Sequence, residues 1–347
     1  MSELNENRII NWLRKYKRIL IGLTTIALIV LMIIIVDFQK LIKKLSIIGI
    51  FGTLLFITLY TIAFLLRAYK LKLIFKGLNH PIKYGSSYFS IGTSFFINSI
   101  TPGQLGDIAK VFILKDQEDI RLSESFAGIA IERVLDFLLL FSISLFALIF
   151  LYLSIGEIEV ETILGQSLQL YLFFGALIIF TIIILFLFLL YKQDFVIKIV
   201  KKISNKLGDY LDRFLNNFKN GLRKFKDNKK EFFYIILLNF PTYIIDAFIL
   251  VIFFTFLGYD LNIFIIILAT LVLFFSNIIP ITPGGWGISE NIGALFIIIF
   301  YPEFPYLDIL AVFVIDHLLR TAYLFFYGGY SILHFNFKLK EARKMIE

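Results

Sequence analysis

The sequence predicts an all-α polytopic membrane protein: six full spans plus two re-entrant helix pairs in an inverted repeat. Three observations carry that prediction. The 347 residues are 59% hydrophobic and 17% charged, with a mean hydropathy of +0.85, which is far more apolar length than soluble cores can bury. Two apolar runs break with nearly the same residues, TPGQLGD at 101–107 and TPGGWGISE at 282–290. Lysine and arginine, finally, collect in alternate connecting segments.

Apolar runs long enough for about 30 Å of hydrocarbon lie at 19–36, 47–66, 122–153, 167–190, 232–256 and 308–332. The N-terminal segment has no small-residue cleavage pattern, so 19–36 is a retained span rather than a signal peptide. Two further runs, 86–115 and 262–300, are interrupted by Pro102-Gly103, by Pro280 and by Pro283-Gly284-Gly285. Proline removes a backbone donor and clashes with the preceding turn, and glycine admits angles that other residues avoid. Pro102, Pro280 and Pro283 are therefore structural breaks, and each run is expected to enter the membrane as a half-helix and return as another.

Charge orients the spans. The N-terminus carries Arg8, Arg14, Lys15, Lys17 and Arg18; segment 67–84 carries Arg67, Lys70, Lys72, Lys76 and Lys83; segment 191–231 holds twelve basic residues against five acids; the tail has Lys338, Lys340, Arg343 and Lys344. Segments 154–166 and 301–308 carry acids and no base. Positive segments stay inside, which makes both termini cytoplasmic, in a multi-pass protein of the cell membrane. The first hairpin then enters from the cytoplasm and the second from outside. Loop 37–46, external in this topology, runs mildly against it with Lys40, Lys43 and Lys44 against Asp37.

Three spans plus one hairpin are an odd number of crossings. A single membrane domain, 1–346, thus holds a first repeat at 19–153 and an inverted second repeat at 167–332. Local likeness supports the pairing: Phe95-Phe96-Ile97-Asn98 and Phe274-Phe275-Ser276-Asn277 precede the breaks, and Ile131-Glu132-Arg133 matches Ile315-Asp316-His317. Inverted repeats with broken helices that meet near the midplane are a transporter arrangement.

The breaks and the charges within spans are the candidate binding residues. Half-helices starting at Gly103 and at Gly284-Gly285 would aim free N–H groups and a positive dipole end at a phosphate or carboxylate, with Thr101 and Thr282 as caps or contacts. Asp107 and Glu290 follow the breaks, either to stabilise a dipole or ion pair or to meet a cation or proton. Glu132, Arg133 and Asp136 lie roughly 15–22 Å into one helix at 1.5 Å per residue; Asp316, His317 and Arg320 lie in its counterpart, and Asp246 in the middle of 232–256. Such charges must face the bundle interior and be paired. Asp316 and Arg320 are spaced to pair within their helix. Glu132 and Asp136 share a face and need a cation from elsewhere, because Arg133 is poorly oriented for them. Ion pairs that clamp helices are one role for this set. The other is a site in which Arg133 or Arg320 meets an anionic headgroup while Asp136, Asp246 or His317 handles a proton.

Segment 192–230 alternates apolar and basic residues at helical spacing, from Phe195 to Phe225, and is expected as one or two amphipathic helices on anionic headgroups at the cytoplasmic face, or as a rigid link. Nucleic acid is not an expected partner. The chain has no cysteine, and its histidines are far apart, so no disulfide, metal site or cofactor is expected. Homo-oligomerisation stays open.

The stretches SFFINSITPGQLGDIAK (94–110), IAIERVLD (129–136) and FFSNIIPITPGGWGISE (274–290) resemble the transmembrane region of lysylphosphatidylglycerol synthases, from about residue 19 to 332. That region also occurs alone in bacterial and archaeal membrane proteins described as flippase-like or uncharacterised, of the UPF0104 type. The family pattern is present at Thr101, Pro102, Gly103, Gly106, Glu132 and Arg133, and at Pro280, Pro283, Gly284, Gly285, Gly287 and Glu290; Asp107 stands where Glu is usual. The resemblance implies movement of a lipid between leaflets, with an anionic phospholipid or a polyprenyl-linked precursor as cargo. Only about fifteen residues follow the last expected span, so the soluble aminoacyltransferase domain of multidomain relatives is not expected, nor is enzymatic activity. A lipid translocase is the leading function class. An ion-coupled small-solute permease and an intramembrane lipid-phosphate enzyme are the alternatives.

The topology predicts the outcome of labelling with an impermeant thiol reagent applied from outside to single cysteines. Positions in 154–166 and 301–307 should react and positions in 67–84 and 191–231 should not; labelling within 191–231 would overturn the orientation.

Overall fold

The computed structural model describes residues 30, 37–101, 104–155, isolated helical positions between 174 and 188, 191–225, 228–276 and 282–335. Nearly all of the expected spans 19–36 and 167–190, most of 154–166, and Pro102, Gly103 and Pro280 lie outside the described residues. The described residues are helical, without strands.

The first helix, α1, runs Phe38–Gly77 and is twice the expected span of 47–66. Asp37 caps it, accepting from the Gln39 N–H at 3.0 Å, so residues 38–46 are helix rather than the expected loop. Its one internal break is Gly49, at φ +63°. From Thr53 to Lys76 no glycine or proline interrupts good helix formers, and Arg67 and Lys70, expected in a cytoplasmic segment, continue the helix into the bundle. The next two helices, α2 (Tyr84–Ile100) and α3 (Leu105–Glu118), fold back on each other; α4 spans Leu122–Ile155. The linker forms α5 (Gln193–Ile203) and α6 (Asn205–Lys224). Then come α7 (Lys229–Phe256), α8 (Ile263–Ser276), a 3-10 turn at Pro283–Gly285, α9 (Ser289–Phe300) and α10 (Tyr306–His334). Among the described residues, five stretches are long and apolar enough to cross a membrane: 38–77, 122–153, 229–256, 283–300 and 306–334. The fourth was expected as the returning half of a hairpin; its unbroken helix is the 12 residues of α9, about 18 Å long.

Helices α1 and α7 pack side by side and antiparallel, joined rung by rung. Lys76 pairs with Glu231 at 2.9 Å, Lys70 donates to Asn239 at 2.8 Å, Arg67 pairs with Asp246, the rings of Phe56 and Phe253 lie 6.0 Å apart, and Lys44 donates to Tyr259 at 3.0 Å. The two helices end alike. Leu78, Asn79 and His80 donate to Ile74, Lys76 and Phe75, and Leu257, Gly258 and Tyr259 to Phe253, Thr255 and Phe254, with Asn79 and Gly258 at φ +64° and +82°. Around this pair, α10 lies against α2, and α4 against α8.

The contacts separate two ends of the bundle. At one, His80 meets Glu124 at 3.1 Å and the rings of Phe89 and His334 lie 4.0 Å apart. At the other, Lys44 meets Asp308 at 3.7 Å and Phe150 stacks near Phe264 at 4.2 Å. Thus α2 and α8 begin at opposite ends and run toward the middle. The linker caps the first end: Leu215, Phe218 and Phe225 are buried, Phe218 and Phe225 against Ile74, Ile131 and Val134, while Phe195, Ile199, Ile203, Leu207 and Tyr210 stay exposed.

Helices α2 and α10 approach at backbone distance, since a Cβ on Gly328 would sit 2.3 Å from the Phe96 Cβ and 2.7 Å from the Gly92 carbonyl oxygen. Gly328→Ala should cost roughly 1–3 kcal/mol of stability, seen as a lower melting temperature in detergent. Gly329→Ala, with nothing within 4 Å, should leave melting unchanged.

Candidate functional site

The two interrupted runs are built differently. After α2, Thr101 Oγ1 donates back to the Ile97 carbonyl at 2.6 Å; it closes the helix that ends rather than capping the one that starts. Gln104 takes a left-handed φ of +59°, and Asn98 fastens the turn, accepting from the Gly106 N–H at 2.7 Å and donating to the Gln104 side chain at 3.0 Å. In the second run Gly284, Gly285 and Gly287 all have positive φ, and α9 starts only at Ser289, so Gly284 does not begin a half-helix as expected. Thr282 makes no capping bond. The breaks meet: a Cβ on Gly284 would lie 2.6 Å from the Ser99 carbonyl oxygen.

Where they meet, a cavity of about 260 Å³ opens between the helices, room for on the order of twenty waters. It is lined by Thr101, Thr282, Gly284 and Gly285 from the breaks. Glu132, Arg133 and Asp136 of α4 line it too, with Asp246 of α7, Glu290 of α9, and Asp316, His317 and Arg320 of α10. Of the described candidates, Asp107 stands behind Arg133 and Pro283 is buried in its turn; neither lines the cavity.

The charges resolve into three clusters. In the first, Arg133 grips Asp107 through Nε and Nη2, both at 2.6 Å, and its Nη1 lies 3.7 Å from Asp136. Lys110 reaches Glu132 at 2.7 Å and Asp107 at 3.4 Å, and Lys70 pairs with Asp136. The cation that Glu132 and Asp136 require thus comes from α3 and α1. In the second, Arg320 holds Asp316 at 2.9 Å, as the spacing predicts, and Asp246 at 3.0 Å, while Arg67 pairs with Asp246 from the other side. In the third, Glu290 accepts from the Gly287 N–H at 3.0 Å and the Ser289 hydroxyl at 3.2 Å, and its other oxygen lies 2.5 Å from His317 Nδ1. The indole of Trp286 stacks on the imidazole at 3.9 Å, tilted by 9°.

Sequence reasoning missed Arg67, Lys70, Lys110 and Asn98. Arg67 and Lys70 sit one helical turn apart in an unbroken run, and Lys110 lies three residues after Asp107; these spacings are the available signals. Two donors on the cavity wall are buried without a partner among the described residues, Arg67 Nη1 and Thr282 Oγ1. A buried donor left unpaired is costly.

With this geometry in place, residues 19–328 match the family described as the lysylphosphatidylglycerol synthase transmembrane region. The chain belongs to that family. Two UPF0104 membrane proteins of Methanocaldococcus jannaschii are similar to it. One is 24% identical over 233 residues, covering 64% of this chain and 66% of the relative, so the match spans just under two thirds of that protein's length. The other is 29% identical over 239 residues, covering 67% of this chain and 92% of the relative. No solved structure matches. Within this transmembrane-region family, then, the chain is a polytopic membrane protein whose two helix breaks help to wall a charged cavity.

Lys110 is fully buried, and its removal strands Glu132. Lys110→Met should lower stability by about 3–5 kcal/mol, and adding Glu132→Gln should recover most of it, since the stranded charge is then gone. Thermal unfolding of the two variants in detergent measures the difference.

Proposed function

We propose that the protein moves a lipid with an anionic headgroup, an anionic phospholipid or a polyprenyl-linked precursor, between membrane leaflets by alternating access. The observation that carries this reading is the meeting of the two helix breaks, approached by α2 and α8 from opposite ends of the bundle, at one charged cavity. An offset of 179 residues relates Arg67 to Asp246, the ends of α1 and α7 at Gly77 and Phe256, and the starts of α2 and α8 at Tyr84 and Ile263. Two antiparallel helices that cross at a residue and its own counterpart support an inverted repeat with its pseudo-two-fold axis at the Arg67–Asp246 pair. Such halves can exchange conformations and present one site to either side.

Arg67 is the residue best placed for a phosphate. The guanidinium groups of Arg133 and Arg320 are each committed to two carboxylates, whereas Arg67 pairs with Asp246 alone and its Nη1 is buried without a partner among the described residues. With Thr282 Oγ1 it offers donors from both halves, and guanidinium is suited to phosphate oxygens. The basic end, with α5 and α6 lying along anionic headgroups, faces the cytoplasm in this reading.

Arg67→Lys tests the proposal cleanly, because it keeps the charge that pairs with Asp246 and removes the guanidinium edge that carries Nη1, so the fold should survive. Transfer of fluorescent phosphatidylglycerol in proteoliposomes should fall at least tenfold while the melting temperature holds. Wild-type transfer in this variant, or uptake of a soluble anion into the vesicle lumen in place of lipid transfer, would overturn it.

A further inference from the structure

We infer that the Glu290–His317 pair holds one exchangeable proton, and that this proton is taken up together with the anionic headgroup. The coupling rests on the lipid-translocation reading; the location of the proton does not.

The inference comes from charge balance. The cluster around Arg133 has three permanent cations, Lys70, Lys110 and Arg133, against three carboxylates, Asp107, Glu132 and Asp136. The cluster around Arg320 has two, Arg67 and Arg320, against Asp246 and Asp316. Each is neutral. The third has one carboxylate, Glu290, 1% exposed, and no permanent cation among the described residues. A lone charge in such surroundings is strongly disfavoured, so the pair is neutral only when it carries a proton. Histidine is the one side chain at the site whose charge ordinarily changes between about pH 5 and 8. The surroundings fit an imidazolium: a carboxylate oxygen receives the Nδ1–H, and the flat face of Trp286 lies under the ring, where a cation is attracted. His317 lines the cavity, which gives the ring a route to its water.

Among the described residues, the groups around His317 leave no other source of neutrality. Asp316 and Arg320 on its own helix, Asp246 on α7 and Arg67 on α1 are satisfied within their cluster, as are Glu132, Arg133 and Asp136 across the cavity. Tyr60 on α1 and Tyr243 on α7 are neutral phenols, and α2 carries no acid or base over its length. The position equivalent to His317 in the first half is Arg133, which pairs with Asp107 from 26 residues away much as His317 pairs with Glu290 from 27. One half therefore has a fixed cation and the other a titratable one.

An arriving phosphate adds a negative charge to a site that is neutral with the proton and negative without it. Bound anion and bound proton therefore favour each other, and the linkage is reciprocal. Cavity water at one face supplies the proton to the imidazole; at the other face the imidazolium returns it to water as the lipid leaves.

The test uses the full chain in nanodiscs, with dioctanoyl phosphatidylglycerol as the probe, a phosphodiester whose own charge is fixed across the range. In ligand-free protein at about pH 6, below the range in which the affinity falls, ring 15N spectra should show His317 as imidazolium in the wild type and as neutral imidazole in Glu290→Gln; neutral imidazole in the wild type there would overturn the assignment. Wild-type affinity for the probe should fall with rising pH, approaching tenfold per unit. Glu290→Gln, which is neutral without the proton, should keep at about pH 8 the affinity that the wild type has at about pH 6. The double variant Glu290→Gln/His317→Gln, which leaves the pair with no titratable group, should bind with no pH slope. A wild-type slope in that double variant would overturn the coupling. Absence of probe binding in every variant would overturn the lipid reading and the coupling with it, while the ring spectra alone decide where the proton sits.

Discussion

Ionisable side chains in hydrocarbon must be paired, and the structure follows from meeting that requirement. Among the described residues, eleven acidic and basic side chains and one histidine converge on the middle of the bundle. Most of these pairs tie helices together: Lys70 binds α1 to α4 and α7, Lys110 binds α3 to α4, and Arg320 binds α10 to α7. The apolar residues, by contrast, are spread over every face, and lipid solvates them as well as another helix does. The charges therefore fix which helices are neighbours and which faces point inward, and glycines such as Gly328 let those neighbours close.

The same requirement explains how a cavity survives where packing would otherwise fill it. Broken helices leave backbone groups unpaired, and these need polar surroundings inside the membrane. The Ser99–Gly284 contact brings the two breaks together, so one wet, charged space serves both. Guanidinium groups held by two carboxylates supply rigidity there. The buried Arg67 Nη1 and Thr282 Oγ1 supply unmet donors. A site needs both, because a fully satisfied network has nothing left to offer a ligand.

Much of this was legible in the sequence, and what was hidden has a physical reason. Proline and glycine are local signals, so the breaks at 101–103 and 282–285 stood out, as did the spans 122–153, 232–256 and 308–332, whose ends the helices match within a few residues. The Asp316–Arg320 pair is also local. Arg67 and Lys70 were misplaced because basic residues beside an apolar run look the same whether they leave the membrane or turn inward to a partner; the partners, Asp246 and Asp136, are 179 and 66 residues away. The start of α9 at Ser289 rather than Gly284 was hidden for a similar reason. Three glycines at positive φ make a turn that no periodicity describes, and its placement depends on the Ser99 carbonyl across the cavity.

Alternating access at this cavity is the central claim, and the absence of native cysteine makes a direct measurement simple. Thr282→Cys places a thiol on the cavity wall. In sealed vesicles of known orientation, a small water-soluble thiol reagent should reach it from either face, and a modification made from one face should block the reaction from the other. Reaction from one face only, or only with a lipid-soluble reagent, would contradict the account.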